Sequence, residues 1–300
     1  MQIIVHFGIH KTASTYFQKE IFRKCPNLVY IPRSDCKKFN NYIISSPDFN
    51  ADYALELFDD VITSLRIKLT DDTRILISNE DYYGNPFDNK NDTLTIIKRF
   101  KMLFNDELSV IAFFRNQEML IRSLFLQFVK TGGFATFNEF ISPNKNESIL
   151  NWNYLFFDRF ALYLKENLSA DNHIFFTYED FERDKSHLLL KMCSFIYREN
   201  IQTLPFALSE HVHNISLNPR FINASIFLNQ FVKNYRYPEH PLPFFLYRIY
   251  MRFFLYFSKK RKSLDYDMPI PATLLSEISR SNQLLDAEFK ELEIFHYGYP

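Results

Sequence analysis

The sequence predicts an α/β protein of three layers, with helices on both faces of a central parallel sheet and further helices at its C-terminal end. Three observations carry this. Short apolar runs alternate with longer segments of helical periodicity through the first 200 residues. The runs are apolar on both sides of the strand, as expected where both faces of a parallel sheet are covered. After about residue 200 the alternation stops and only helical patterns follow.

Gln2–Phe7 is a short β-branched run and reads as a strand. Residues 14–24 place Tyr16, Phe17, Ile21 and Phe22 at helical spacing, with Pro26 beyond the stop. Residues 51–69 repeat apolar side chains on one helical face. Residues 74–78 read as a buried strand, 93–104 as a helix, and Leu108–Phe114 (LSVIAFF) as a fully buried strand. Gln117–Lys130 is a helix stopped by Gly132-Gly133. A helix over 152–167, a strand over His173–Thr177 and a helix over Lys185–Tyr197 complete the alternation. Helices over 220–234, 243–260 and 272–292 follow, the first two joined by a proline-rich stretch, 237–243. The expected organisation is one domain, 1–300: an α/β core over 1–200 and a helical part, 201–300, packed on it.

Composition removes several classes. Hydrophobic residues make up 47% and charged residues 23%, which excludes disorder, collagen and disulfide scaffolds. Thirty-five basic residues balance thirty-five acidic ones, so no nucleic-acid partner is expected, and any anion must be caught locally. Cys25, Cys36 and Cys193 form no CxxC pair and read as small core side chains in a reducing compartment. The opening MQIIVHFG lacks a basic and then apolar leader pattern, so the expectation is a cytoplasmic protein. Residues 242–262 combine aromatics, Arg248, Arg252 and a run of four basic residues. They read as a core helix with a basic end, or as a peripheral contact with the inner face of a membrane.

The first strand runs into Gly8-Ile9-His10-Lys11-Thr12-Ala13-Ser14-Thr15 and then a helix. A helix start offers free N–H groups and a positive dipole end, the hydroxyls add donors, and Lys11 adds a full charge. This is a phosphate cradle, P-loop-like in position. It is not a Walker A loop, because Ala13-Ser14 stands where the Gly-Lys pair would be. Arg115 ends another buried strand, at the sheet edge where open α/β folds bind ligands. Ser123, two helical turns on, could grip the same phosphate.

Together the two segments resemble the sulfotransferases that use 3′-phosphoadenosine 5′-phosphosulfate (PAPS). Lys11-Thr12-Ala13-Ser14-Thr15 is similar to that family's 5′-phosphosulfate loop, and Arg115 with Ser123 to its 3′-phosphate motif. The stretch 123–133 is similar to S-L-[YF]-x-Q-x-[VI]-K-x-G of bacterial carbohydrate sulfotransferases. Tyr178-Glu179-Asp180-Phe181 resembles the family's Y-E-D-[LF]. His213-Asn214-Ile215-Ser216-Leu217 and Arg280-Ser281-Asn282 match weaker late motifs. His10 stands where the family usually has Pro, as does Gln117, and the R-K-G loop of aryl sulfotransferases is absent, which argues against a small phenol acceptor.

The resemblance implies that His10, Lys11, Thr12, Ala13, Ser14, Thr15, Arg115 and Ser123 bind PAPS, and that no metal is required. It implies in-line transfer of a sulfuryl group to a hydroxyl of a carbohydrate or glycolipid acceptor, with 3′,5′-ADP leaving. Lys11 would stabilise the leaving oxygen. Glu80, at the end of the strand over 74–78, is the candidate base, with Asp81 and His10 as alternatives. A bacterial enzyme acting on a cytoplasmic precursor is expected. A small-molecule kinase, or a non-catalytic nucleotide-binding protein of the same fold, are the competing expectations.

Overall fold

A computed structural model of the protein describes residues 1–87, 93–208, 221–231, 249, 252 and 268–300. Its sheet has five parallel strands: β1 Gln2–Phe7, β2 Leu28–Ile31, β3 Arg74–Asn79, β4 Leu108–Phe114 and β5 His173–Thr177. Their spatial order is β2-β3-β1-β4-β5. β2 and β3 thus lie on one side of β1 and β4 and β5 on the other, and the crevice at the carboxyl end of β1, flanked by β3 and β4, is the switch point where such sheets bind ligands.

Strand side chains alternate between two cores. Ile3, Val5 and Phe7 of β1 join Ile75, Ile77, Val110, Ala112 and Phe114 in one apolar layer. That layer is covered by α2 Lys37–Ser45, α3 Ala51–Ser64, α4 Thr93–Phe104, α5 Gln117–Lys130 and the short α6 Phe137–Phe140, with α7 Phe157–Asn167. Ile4, Leu76, Ile111, Phe113 and Phe176 point the other way. They pack under α1 Ser14–Tyr16, α8 Tyr178–Arg183 and α9 Lys185–Tyr197. The three-layer architecture expected from the alternation is the observed one.

Several boundaries differ for physical reasons. β2, α2, α6 and α8 are absent from the sequence expectation. β2 has four residues at the sheet edge, three of them only half-buried, which leaves too short a run to show a pattern. The helix expected over 14–24 is one α turn that widens into a π-helix, Phe17–Ile21. The helix expected over 51–69 stops at Ser64, and Arg66 turns left-handed at φ 55°. The one over 152–167 breaks at Phe156, where ψ is 87°, into a 3-10 turn Trp152–Leu155 and α7.

After residue 200, α10 Ile222–Asn229 and α11 Ala272–Glu288 are described. Both send side chains into the first core layer: Ile222 and Ile226 from α10, Leu274, Ile278 and Leu285 from α11. Residues 232–234 of the first expected helix, the stretch 213–217 and most of 242–262 lie outside the described residues. No helix among those described is long and apolar enough to cross a membrane. Cys25, Cys36 and Cys193 are all buried thiols.

Candidate active site

Residues 8–13 carry the chain from β1 into α1 at the switch point. Lys11 and Ala13 both adopt left-handed backbone, at φ 68° and 62°. Such residues store roughly 1–3 kcal/mol of strain each and cluster where a ligand is held. Gly8 is required by close approach: a Cβ there would lie 2.8 Å from Ser14 Oγ and 3.4 Å from Glu80 Cγ. Thr12 is fully buried and turns its hydroxyl inward to donate to Ile9 O (2.6 Å). Ser14 Oγ reaches the same carbonyl at 3.4 Å. These two hydroxyls therefore brace the loop from within, while Lys11, Ala13 and Thr15 are half-buried at its rim.

Arg115 follows β4 and closes on this loop: its Nη1 donates to Lys11 O at 2.7 Å. Its guanidinium lies 4.5 Å from the Tyr178 ring centre, and its Nε is buried with no protein acceptor. An orphaned buried N–H on a cation fits an anionic ligand. Asn116 caps α5 by accepting from Met119 N (3.2 Å), and Ser123 sits half-buried two turns along that helix.

Glu80 begins the 3-10 turn Glu80–Tyr83 after β3. Burial raises its pKa above the usual carboxylate value, and the Lys11 charge opposes that shift. Asp81 is paired with Arg33 at 2.5 Å. His10 is fixed by Tyr154, whose hydroxyl accepts from His10 N (2.9 Å) and lies 2.8 Å from Nδ1. With one N–H already donated to it, the phenol gives its own proton to Nδ1, so the imidazole proton sits on Nε2. Burial lowers the His10 pKa to about 4, so the 3.9 Å approach of Nε2 to Glu80 Oε2 is not an ion pair at neutral pH.

Lys11 is itself shifted. Burial, reinforced by the nearby charges of Lys130 and Arg115 and opposed by Glu80, lowers its pKa to about 8. The cations Lys11, Lys130, Arg115 and Arg33 thus outnumber the carboxylates Glu80 and Asp81 around the switch point, a surplus that suits a multiply charged anion. Among the described residues no group of three or more His, Cys, Asp or Glu is placed to hold a metal ion.

No family model matches the chain, and no curated protein matches it in sequence. Its backbone does match a solved structure, a sulfotransferase from Alicyclobacillus acidocaldarius. The two are 12% identical, with 77% of this chain and 93% of that one covered, at a TM-score of 0.51. The chain has a sulfotransferase fold. Lower-scoring matches are the sulfotransferase domain of the curacin biosynthetic pathway (12% identity, 94% and 97% covered, TM-score 0.44) and mouse sulfotransferase SULT7A1 complexed with PAP (13%, 96% and 88%, TM-score 0.40).

Within this sulfotransferase fold the structure brings together Lys11, Arg115, His10 and Glu80, four residues from three separate strand ends. Sequence reasoning missed Tyr154 and Lys130 as members of the group. Tyr154 had no signal at all, since its partner is 144 residues away. Lys130 stood inside the quoted stretch 123–133 but read as a helix-end lysine. Two motifs prove to have packing partners. Gln117 Nε2 donates to Asn282 Oδ1 (2.7 Å), and Asn282 Nδ2 lies 3.2 Å from Gln117 Oε1. Ser281 Oγ donates to Asp158. Gln117 and Asn282 are both fully buried, so the amide pair satisfies groups that would otherwise be costly to bury.

Proposed function

We propose that the protein is a PAPS-dependent sulfotransferase that sulfates a hydroxyl of a carbohydrate acceptor, such as a polysaccharide, lipopolysaccharide or glycolipid precursor, and releases 3′,5′-ADP. The observation that carries this is the Arg115–Lys11 contact, which joins two anion-binding segments 104 residues apart into one corner. PAPS would supply the sulfuryl group. The residues fit it: Lys11, Ala13 and Thr15 at the loop rim for the 5′-phosphosulfate, with Thr12 and Ser14 holding the loop's shape, and Arg115 and Ser123 for the 3′-phosphate. The carbohydrate acceptor rests on the likeness of residues 123–133 to bacterial carbohydrate sulfotransferases. A cytoplasmic site of action, near the membrane if 242–262 docks there, accompanies that reading.

The geometry supports the following roles. Glu80, half-shielded from water and with its pKa raised, takes the proton of the attacking hydroxyl as that oxygen bonds to sulfur. The bond from sulfur to the bridging oxygen breaks, and its electron pair leaves on the 5′-phosphate. Lys11 stabilises that developing charge. Asp81 is engaged by Arg33, and His10 presents a protonated Nε2, so neither competes with Glu80 as base. His10 Nε2–H is instead a neutral donor beside the carboxylate.

Two outcomes test the assignment. Arg115→Ala is expected to weaken 3′,5′-ADP binding by roughly 30-fold or more, from lost charge-assisted hydrogen bonds. Ser123→Ala should weaken it less. Both should spare adenosine 5′-phosphosulfate, which lacks the 3′-phosphate. Calorimetry with the two nucleotides reads this, and equal losses would reject the 3′-phosphate role. Glu80→Gln is expected to lower kcat by roughly 100-fold with nucleotide affinity unchanged. If Asp81→Asn is instead the damaging change, the base moves by one residue. A kinase would be stabilised against heat by ATP with Mg²⁺ and not by 3′,5′-ADP.

A further inference from the structure

The Y-E-D segment and residues 297–300 form a closed set of contacts behind Arg115. Asn116 N donates to Glu179 Oε1 (3.0 Å). The other carboxylate oxygen, Glu179 Oε2, accepts from Tyr299 OH at 2.9 Å. Asn116 Nδ2 donates to Gly298 O (2.7 Å), and Asn282 Nδ2 donates to Pro300 O (2.9 Å). Gly298 sits at φ 69°, a left-handed turn that glycine adopts without strain. Tyr299 is 4% exposed, so its hydroxyl has a single acceptor and little water to turn to. The ring next to Glu179, that of Tyr178, stacks on the Arg115 guanidinium. The same three-residue segment therefore holds the Arg115 side chain from one side and the following backbone N–H from the other.

This matters because Arg115 has little else to fix it. Its Nη1 reaches Lys11 O, its Nε is orphaned, and no carboxylate among the described residues pairs with it. An arginine that must meet a phosphate in a set orientation needs its backbone corner held. We propose that Tyr299, acting through Glu179, is a positioning residue that holds the Arg115–Asn116 corner for the 3′-phosphate. The proposal rests on the nucleotide reading given above. Tyr299 does not touch the ligand. It keeps the Glu179 carboxylate turned toward Asn116 N.

The test uses the full chain and two hydroxyl deletions. Tyr299→Phe removes only the donor to Glu179. Tyr297→Phe removes a donor of the same kind from the same segment, but its acceptor is Asp180, which does not reach Asn116. Tyr299→Phe is expected to weaken 3′,5′-ADP binding roughly tenfold, about the worth of one hydrogen bond to a charged group. Its binding of adenosine 5′-phosphosulfate should change less than about twofold. Tyr297→Phe should leave both affinities near wild type, although both variants lower the melting temperature. Hydrogen exchange at the Asn116 amide should speed up in Tyr299→Phe alone. Unchanged 3′,5′-ADP binding in Tyr299→Phe, or equal losses for the two nucleotides or for the two variants, overturns the positioning role. A wild type that binds neither nucleotide overturns the reading of the site itself, and the two failures are distinct.

Discussion

Lys11→Ala is expected to lower kcat by about 100- to 1,000-fold while the protein stays folded. One preorganised charge beside a developing oxyanion is worth about 3–4 kcal/mol in the transition state. The fold should survive because the side chain is half-buried at the loop rim, and the loop is braced by Thr12 and Ser14 rather than by Lys11. A pH dependence accompanies this. In the free protein Lys11 loses its proton at about 8, an unusually low value caused first by burial and then by Lys130 and Arg115. An anionic nucleotide favours the protonated form, so affinity for 3′,5′-ADP should be fully present below pH 8 and decline above it, where binding takes up close to one proton. Lys11→Arg should abolish that alkaline decline. Lys130→Met should move it to higher pH by removing a like charge. Calorimetry at pH 7 and pH 9 reads all three, and a wild-type affinity that does not fall above pH 8 removes Lys11 from the site.

The second large effect is on stability in acid. His6 lies in β1 with no exposed surface, against Phe17, Phe22 and Phe113. Its Nδ1 lies 2.7 Å from Ser78 Oγ, which also accepts from Gln18 Nε2 at 3.0 Å, and its Nε2 is buried without a hydrogen-bond acceptor. Burial lowers its pKa to about 3. The unfolded chain binds this proton near pH 6.5 and the folded one does not until about 3. Stability is therefore complete above pH 6.5 and falls by about 1.4 kcal/mol per pH unit below it. His10, with its pKa lowered to about 4, adds an equal slope over most of that range. Between pH 6.5 and 4.5 the two together remove about 4 kcal/mol, a large share of a typical domain's stability. Glu80, raised by burial, works in the opposite sense over part of the range. Urea unfolding at pH 7 and pH 5 measures the slope. His6→Gln, which keeps a partner for Ser78, should start less stable and fall about half as steeply. Equal wild-type stability at the two pH values would contradict this account.

Much of the candidate site was legible because its chemistry is local. Lys11 and three hydroxyl residues sit between an apolar strand and a helix start, and that order alone implies an anion cradle. Arg115 was legible for the same reason, standing just after LSVIAFF. Glu80 was legible as a carboxylate at a strand end, but not its separation from Asp81. Arg33, 48 residues away, engages Asp81, and that contact is what favours Glu80 as the proposed base.

Four of the five strands, their burial on both faces and the longer helices between them were determined by the sequence, because period and apolarity are properties of adjacent residues. The order β2-β3-β1-β4-β5 was not, since a strand's pattern states which faces it buries and not which neighbour it pairs with. Polar partners follow the same rule. Tyr154 against His10, Lys130 beside Lys11, Gln117 against Asn282 and Tyr299 on Glu179 join side chains far apart in the chain. Each of these groups could be satisfied in many ways in the unfolded chain. The packing of the two layers on the sheet leaves one partner within reach, and only that packing decides which.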